Sequence, residues 1–328
     1  MNQIRLKKWI KRVLMTVLLL LIVIDLLAGN YLVSFALLRS NASGVDVAPT
    51  PVTSDEISKK VDEIAKEQGE LTDKWFAQAE KEIMTIRSKD GLALYADLVT
   101  TDKNSHKWAI AIHGYSGKRA HTYNYARFYA EQGYNILMPD MRAHGESEGT
   151  YIGMGWLDKE DVILWIDQIL EKDPAAEIVL HGVSMGGATV MMTSGEQLPD
   201  NVKAIIDDCG YTSVWDVFSD EAKYLFHIPE FPILYTASAI SRIRAGYTFG
   251  EASAIGQVRK TNVPIYFIHG SKDNFVHTDM VYELYEACPT QKGLYVVEGA
   301  GHGQAMYVDP EQYFRNVFEF IDSVKQEK

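Results

Sequence analysis

A serine at a glycine-flanked turn is the first residue of this sequence whose type and spacing point to chemistry. Ser184 lies in the run Gly182-Val183-Ser184-Met185-Gly186, after a short apolar stretch and before a segment with helical spacing. So sharp a turn pushes the serine out of the backbone surface, and glycines are needed there because side chains would clash. The positive end of the following helix also favours a developing anion. The pattern predicts a serine nucleophile.

Two later loops supply the partners that such a serine needs. A serine hydroxyl is a weak nucleophile unless a base removes its proton and a carboxylate orients that base, in the chain order serine, acid, histidine. Asp273 and His302 each lie in a glycine-containing loop after an apolar strand, at the sheet edge where open α/β sheets collect ligands. We therefore predict that Asp273 and His302 activate Ser184. The alternative carboxylates end an earlier strand and are Asp207 and Asp208.

Acyl transfer also needs hydrogen-bond donors aimed at the tetrahedral oxyanion. The N–H of Met185, directly after the serine, is one expected donor. The N–H of Tyr115 is the second, since it lies in the loop 113–117, where Gly114 permits a tight turn. We expect His113 to hold that loop rather than to take part in the chemistry.

The elements that would position these residues alternate along the chain. Alternating short apolar runs and helical segments predict a mostly parallel sheet with helices on both faces. The predicted strands are 83–87, 92–98, 108–112, 135–138, 178–183, 202–207, 265–268 and 294–297. The predicted helices between them are 122–132, 157–172, 185–196, 278–287 and 311–324. Residues 211–260 break the alternation, are rich in aromatic residues and are interpreted as an inserted helical cap.

The N-terminus predicts a membrane segment. Five basic residues precede the stretch 13–38, whose only ionisable side chain is Asp25. A helix of that length is roughly 39 Å long and crosses a ~30 Å hydrocarbon core with tilt. We predict that residues 1–39 form a signal anchor with a cytoplasmic N-terminus and an extracytoplasmic catalytic domain. The alternative is a signal peptide with its apolar core at 13–24, cut near Ala28, which would release a secreted protein.

Asp25 itself allows two interpretations. It either marks the cleavage region or makes a polar contact in a helix assembly.

Composition bounds the remaining organisation. Five basic side chains against Asp25 give residues 1–38 a charge of +4, which leaves −16 for the rest of a chain whose total is −12. So acidic a body repels phosphate backbones, and nucleic-acid binding is not expected. The two cysteines, Cys209 and Cys288, rule out a disulfide framework, and we expect both to be free. The predicted divisions are 40–54 as linker, 55–82 as a helix, 83–210 with 261–328 as the catalytic domain, and 211–260 as the cap.

Four sequence blocks together resemble the α/β-hydrolase superfamily. They are HGYSG at 113–117, PDMRAHGESEG at 139–149, GVSMGG at 182–187, and the pair GSKD at 270–273 and GAGH at 299–302. Within the superfamily they resemble the branch of monoacylglycerol-lipase-like and serine-aminopeptidase-like enzymes, which has membrane-tethered members. The resemblance implies an eight-stranded α/β-hydrolase fold, carboxylic ester or less often amide substrates, and neither metal nor organic cofactor. It also implies a triad of Ser184, Asp273 and His302, with Tyr115 and Met185 as oxyanion donors.

The function predicted is hydrolysis of short or medium acyl or aryl esters by a serine carboxylesterase. A serine exopeptidase or amidase acting on small peptides is the alternative, with Glu221, Glu230 and Glu251 as available anchors for a charged terminus. A tethered binding protein without activity is a third. Arg142 and His144 are expected to be structural, and most cap aromatics to pack on the sheet, with a surplus lining an apolar pocket.

Overall fold

Three helices precede the sheet in the computed structural model, which describes residues 3–42 and 55–326. They are α1 (Gln3–Leu37), α2 (Arg39–Ala42) and α3 (Asp55–Gln78). Most of the predicted linker 40–54 therefore lies outside the described residues. Helix α3 ends at Gln78 rather than at 82, because a strand already begins at Lys81, where it pairs with Val99. Backbone pairing in the sheet thus outweighs the helical spacing of the sequence.

One eight-stranded sheet forms the centre of the described chain, and the predicted, mostly parallel architecture is confirmed. The spatial order is β1-β2-β4-β3-β5-β6-β7-β8, with β1 and β2 antiparallel to their neighbours and the other pairs parallel. The inner strands are buried almost throughout, because helices cover both faces. The strands are β1 (Lys81–Arg87), β2 (Ala93–Val99), β3 (Lys107–Ile112), β4 (Asn135–Pro139), β5 (Glu177–Val183), β6 (Val202–Asp208), β7 (Ile265–Gly270) and β8 (Lys292–Val297).

Two apolar clusters, one on each face, join the sheet to its helices. The first contains Trp165 and Met191 from two helices that follow β4 and β5, and the second contains Tyr129 and Phe314. The helical elements between and after the strands, apart from those in 211–260, are the 3₁₀ turn Arg119–Thr122, α4 (Tyr123–Glu131), α5 (Asp158–Lys172), α6 (Met185–Ser194), α10 (Asp279–Ala287), α11 (Ala305–Val308) and α12 (Pro310–Gln326). Sequence spacing did not indicate the one-turn helix α11, because four residues carry no periodicity.

The segment 211–260 is helical and contains no strand in the structure. It comprises α7 (Val214–Phe226), α8 (Ile233–Arg244) and the short α9 (Ala254–Val258). Ser213 caps the N-terminus of α7, since its Oγ accepts a hydrogen bond from the Asp216 N–H at 3.1 Å. Helix α8 packs along α1 rather than on the sheet.

Helix α1 has two halves with different surroundings. Residues 5–24 are exposed, whereas Val33 and Leu37 near the other end are fully buried and belong to the first apolar cluster. The end of the helix is joined to the loop after β4 by backbone hydrogen bonds from Ile152 N–H to Leu37 O and from Arg39 N–H to Thr150 O. The second half of α1 is therefore built into the folded body.

Candidate active site

Ser184 lies at the junction of β5 and α6 with strained backbone angles, φ 57° and ψ −117°. The glycines on either side make this turn possible. A Cβ on Gly182 would lie 2.0 Å from the carbonyl oxygen of Gly186, and one on Gly186 would lie 2.2 Å from that of Ile112. Strain of this kind is maintained where the surrounding structure fixes it, and it presents the serine side chain to the site.

A continuous chain of hydrogen bonds connects the three residues that the sequence singled out. The His302 Nε2 lies 2.7 Å from the Ser184 Oγ, and the His302 Nδ1 lies 2.7 Å from the Asp273 Oδ2. The other carboxylate oxygen of Asp273 accepts the N–H groups of Phe275 and Val276, at 3.0 and 2.9 Å. Because Asp273 accepts from His302 Nδ1–H, the Nε2 of the ring is left to accept the serine proton.

The carboxyl of Asp273 is held in its ionised form. Burial by itself favours the neutral acid, but His302 and a hydrogen bond from His269 outweigh it, and the pKa of Asp273 lies well below its usual value. The Nε2 of His269 lies 3.2 Å from the same Oδ2 that faces His302. A permanent negative charge thus lies behind the imidazole of His302, where it would stabilise an imidazolium.

The alternative carboxylates make other contacts. The Asp208 Oδ2 accepts the Tyr313 hydroxyl at 2.8 Å, and the Asp207 Oδ1 accepts the Gly210 N–H at 3.0 Å. Burial raises the pKa of Asp207 to about 8 and that of Asp208 to about 6. Neither carboxyl is hydrogen-bonded to His302, so the geometry favours Asp273.

The loop expected to supply an oxyanion donor lies directly beside the serine. A Cβ on Gly114 would lie 3.3 Å from the Ser184 Cβ, so any larger residue there would crowd the serine. Tyr115 follows it, and its hydroxyl donates to the carbonyl of Ala36 at 2.7 Å. Met185 is the first residue of α6, and N–H groups at that position have no carbonyl partner within the helix. The N–H groups of Tyr115 and Met185 thus remain the predicted donors.

His113 and the 139–149 loop contact one another rather than the triad. The His113 Nδ1 donates to the Gly114 carbonyl at 2.7 Å, and its Nε2 accepts the Met141 N–H at 3.0 Å. Burial lowers the pKa of His113 to about 3, so the ring is neutral. Arg142 forms an ion pair with the buried Asp161 at 2.7 Å. These contacts fit the structural roles expected from the sequence.

An apolar pocket of about 100 Å³ opens beside Ser184 and Met185. Part of its wall comes from the cap, as aromatic density in that segment indicated. The lining residues from the cap are Tyr211, Val217, Phe218, Glu221, Ala222, Leu225, Phe226, Leu234 and Phe249. A second cavity, of about 340 Å³, lies on another side of Ser184 and is bounded by Val61 and Asp62 of α3. Ser184 therefore lines both cavities.

Sequence reasoning missed three pocket residues, Leu32, Phe35 and Ala36, which come from α1. Their apolar character is the same as that of the rest of the membrane-like stretch. No sequence signal distinguishes an apolar residue that faces lipid from one that faces a pocket.

Glu221 is the one carboxylic acid among the described residues that line the apolar pocket. Burial, with a smaller contribution from Asp220, raises the pKa of Glu221 to about 7. In the described part of the chain its carboxyl has no hydrogen-bond or ion-pair partner. Glu230 and Glu251, the other acids considered from the sequence, are paired with Lys223 and Arg242.

One group of possible metal ligands coincides with the site. Ligand atoms of Cys209, Asp273 and His302 lie within 4.8 Å of one another. However, the Asp273 and His302 atoms are hydrogen-bonded to each other, and burial raises the pKa of the Cys209 thiol well above its usual value. Metal binding by cysteine requires the thiolate, so these residues do not fit a metal. Cys209 and Cys288 are both buried and free.

This architecture is the α/β-hydrolase fold. A family model described as the alpha/beta hydrolase fold matches residues 110–230. The esterase Pf2001 of Pyrococcus furiosus is similar over 75% of this chain and 91% of its own, with a TM-score of 0.61 and 25% identity. The acylaminoacyl peptidase of Pyrococcus horikoshii is similar in fold, with a TM-score of 0.55 and 17% identity over 74% of this chain and 42% of its own. Fold and neighbours together indicate a hydrolase.

Two bacterial proteins are similar in sequence. The uncharacterized protein YqkD of Bacillus subtilis (strain 168) is 26% identical over 273 residues, which is 82% of this chain and 89% of YqkD. The uncharacterized protein YfhR of Escherichia coli (strain K12) is 23% identical over 237 residues, 70% of this chain and 75% of YfhR. The similarity to YqkD extends beyond the region that the family model matches.

Proposed function

We propose that this protein is a serine hydrolase that cleaves carboxylic esters through an acyl-enzyme. The observation that carries the proposal is the hydrogen-bonded series Ser184–His302–Asp273, with the serine on a strained turn beside an apolar pocket. The imidazole of His302 removes the serine proton as Ser184 attacks the ester carbonyl, and Asp273 stabilises the imidazolium. The same imidazolium then protonates the departing alcohol.

The rest of the reaction follows from the surroundings of the serine. The N–H groups of Tyr115 and Met185 stabilise the oxyanion, at the open end of α6. The acyl group occupies the apolar pocket, and the alcohol leaves through the cavity beside α3. Water activated by His302 then hydrolyses the acyl-enzyme. Every group required belongs to the chain itself, and the proposal includes no metal or cofactor.

Hydrolysis of 4-nitrophenyl esters from acetate to palmitate by the full-length protein tests this proposal. We expect activity that peaks at one chain length and falls by several orders of magnitude in Ser184→Ala. Ser194→Ala is a matched control, because its hydroxyl is buried in α6 and bonded to the Met191 carbonyl. Undiminished hydrolysis by Ser184→Ala would remove the serine from the mechanism.

A serine peptidase or amidase is the second candidate, and Glu221 is the observation that favours it. A carboxyl without a partner beside the nucleophile can pair with the free amino group of a small peptide. Aminoacyl 4-nitroanilides measure this activity directly. Turnover of these amides that exceeds ester turnover, and that Glu221→Gln abolishes, would favour the peptidase.

The proposed location is the cell membrane, with the N-terminus in the cytoplasm and the catalytic domain outside. Residues Arg5–Leu37 form a helix long and apolar enough to span a membrane, and basic residues precede its apolar part. Cleavage near Ala28 would instead release the domain. The mass of the mature protein separates the two forms, because only the anchored protein retains residues 1–28.

A further inference from the structure

The apolar stretch of α1 that is free to face lipid is too short to span a bilayer. Exposed apolar side chains run from Val13 to Leu27, interrupted by Thr16 and Asp25, and these 15 residues of helix measure about 22 Å against a hydrocarbon core of ~30 Å. Within this stretch Asp25 already accepts a hydrogen bond from the Thr236 hydroxyl of the cap at 2.5 Å. The bilayer must therefore reach the depth at which α1 is already packed on the cap.

Helices α1 and α8 pack closely and run in the same direction. A Cβ on Gly29 would lie 3.0 Å from the Ala237 backbone nitrogen, so glycine permits the close approach typical of helix pairs in membranes. Farther along, Arg244 donates to Asn30 and Ser34. Later residues of α1 contact later residues of α8, so the two helices are parallel. The first half of α1 faces the membrane, and the beginning of α8 is therefore its end nearer the membrane.

Large apolar side chains are exposed at this end of the cap. Phe231, two residues before α8, is 74% exposed, and Tyr235 in the first turn of α8 contacts it with ring centroids 5.9 Å apart. Exposed aromatic residues beside a membrane helix are typical of the bilayer interface. The acidic body of the protein disfavours attraction to anionic lipids, so apolar contact must supply the attachment.

The same part of α1 forms a wall of the acyl pocket. Leu32 and Phe35 line it, and the Phe35 ring packs edge-on against Phe226 of the cap at 5.6 Å. Leu225, which is 49% exposed, also lines the pocket, so the pocket reaches the surface at the end of α7. The opening therefore lies next to the helix that enters the membrane.

From this arrangement we propose that the cap rests in the membrane interface and that the substrate is a bilayer-resident ester whose acyl chain enters the pocket along α1. The proposal rests on the proposed ester hydrolysis and adds the source and shape of the substrate. Helix α1 is then both the tether and a wall that determines which chain fits. The acidic surface favours a lipid with an uncharged head group.

Phe231→Asp tests entry from the membrane, because Phe231 does not line the pocket. Full-length protein in phosphatidylcholine vesicles is assayed with 4-methylumbelliferyl oleate in the bilayer and with soluble 4-nitrophenyl acetate. We expect the oleate rate to fall at least tenfold and the acetate rate to change less than twofold. Ile83→Asp, at a 63%-exposed site on the edge strand β1, is the matched control and should change neither rate. An unchanged oleate rate in Phe231→Asp would overturn the proposal.

Leu32→Trp tests whether α1 helps to select the acyl chain as a wall of the pocket. A larger side chain there should shift the preferred 4-nitrophenyl ester to a shorter acyl chain, whereas Leu18→Trp, in the exposed half of α1, should not. An identical chain-length profile in both variants would exclude α1 from acyl selection.

A measurement without catalysis separates failure of this proposal from failure of the proposed function. A fluorophore on Phe231→Cys should be quenched by quencher-labelled lipid, and one on Ile83→Cys should not, since both native cysteines are buried. If the fluorophore at position 231 is not quenched by the labelled lipid, membrane docking is overturned even in an active esterase. If position 231 is quenched but the protein hydrolyses no ester, membrane docking is supported and the ester substrate is rejected.

Discussion

Replacing Asp273 by asparagine should reverse the proton arrangement of His302 without changing the shape of the site. The Oδ1 of Asp273 accepts two backbone N–H groups, from Phe275 and Val276. In the variant, these donors require the amide oxygen, so the amide NH₂ must face the His302 Nδ1. That nitrogen then accepts a hydrogen bond, the proton moves to Nε2, and His302 donates to Ser184 instead of accepting its proton.

The expected loss has two parts. A charge-assisted hydrogen bond contributes about 1.5–3 kcal/mol, a factor of about 10 to 150 in rate. Loss of the correct tautomer adds to it, and we expect kcat to fall by about 10⁴, as for the buried aspartate of other serine triads. Initial rates on the best 4-nitrophenyl ester at pH 7.5 measure the loss, with circular dichroism to establish that the variant is folded.

Asp208→Asn is the matched control for this experiment. An asparagine oxygen can still accept the Tyr313 hydroxyl, and the carbonyl that accepts the Ser184 N–H is unchanged. We expect activity within about tenfold of the original protein, since the carboxyl is not bonded to His302. The reverse result, with Asp208→Asn inactive and Asp273→Asn active, would assign the carboxylate to β6 and refute the reasoning.

Three further predictions concern the surroundings of the triad. Because burial raises the pKa of Glu221 to about 7, an apolar ester should bind less well once that carboxyl is ionised; KM should rise up to about tenfold between pH 6 and 8. Glu221→Gln should remove the rise, and an equal rise in both proteins would exclude Glu221 as its source. Burial also raises the pKa of Asp207 to about 8, so the folded state retains a proton that the unfolded chain loses near pH 4. The contribution of Asp207 to the free energy of unfolding therefore declines between pH 4 and 8; urea unfolding should show a smaller decline in Asp207→Asn, and identical slopes would contradict the assignment. Finally, Tyr115→Phe should lower the free energy of unfolding by about 1 kcal/mol through loss of the bond to Ala36 while kcat stays within about threefold, because the proposed oxyanion donor is the backbone N–H. A hundredfold loss of kcat would instead place the hydroxyl in the reaction.

The sheet was predictable because its signal is local and repeated. Each of the eight strands was predicted within about two residues of its observed bounds, since apolar runs between turns are the pattern that a covered parallel strand requires. The predicted strand bounds differ from the observed ones mainly at the sheet edges, as at β1, which begins at Lys81 rather than at 83. An exposed edge strand carries polar residues, and its ends are determined by backbone pairing that a sequence pattern does not encode.

The sequence predicted that the site residues lie close together only to the extent that strand order places their loops at one sheet edge. Strand order places the loops after β5, β7 and β8 at one sheet edge, which brings Ser184, Asp273 and His302 together. The same rule places Asp207 and Asp208 nearby and leaves the choice of carboxylate open. That choice depends on side-chain direction: the N–H groups of residues 275 and 276 turn Asp273 toward the histidine.

The role of α1 was beyond the reach of sequence reasoning for a different physical reason. Burial against protein and immersion in lipid both favour apolar residues, so the sequence of 13–38 predicts a single membrane helix. The structure divides it by contact: Gly29, Val33 and Leu37 pack within the folded body, and residues 13–24 do not. A domain cut at residue 55 would lose Leu32 and Phe35, which line the apolar pocket, and with them part of the surface proposed to select the acyl chain. Any measurement of substrate preference must therefore be made on a chain that retains α1.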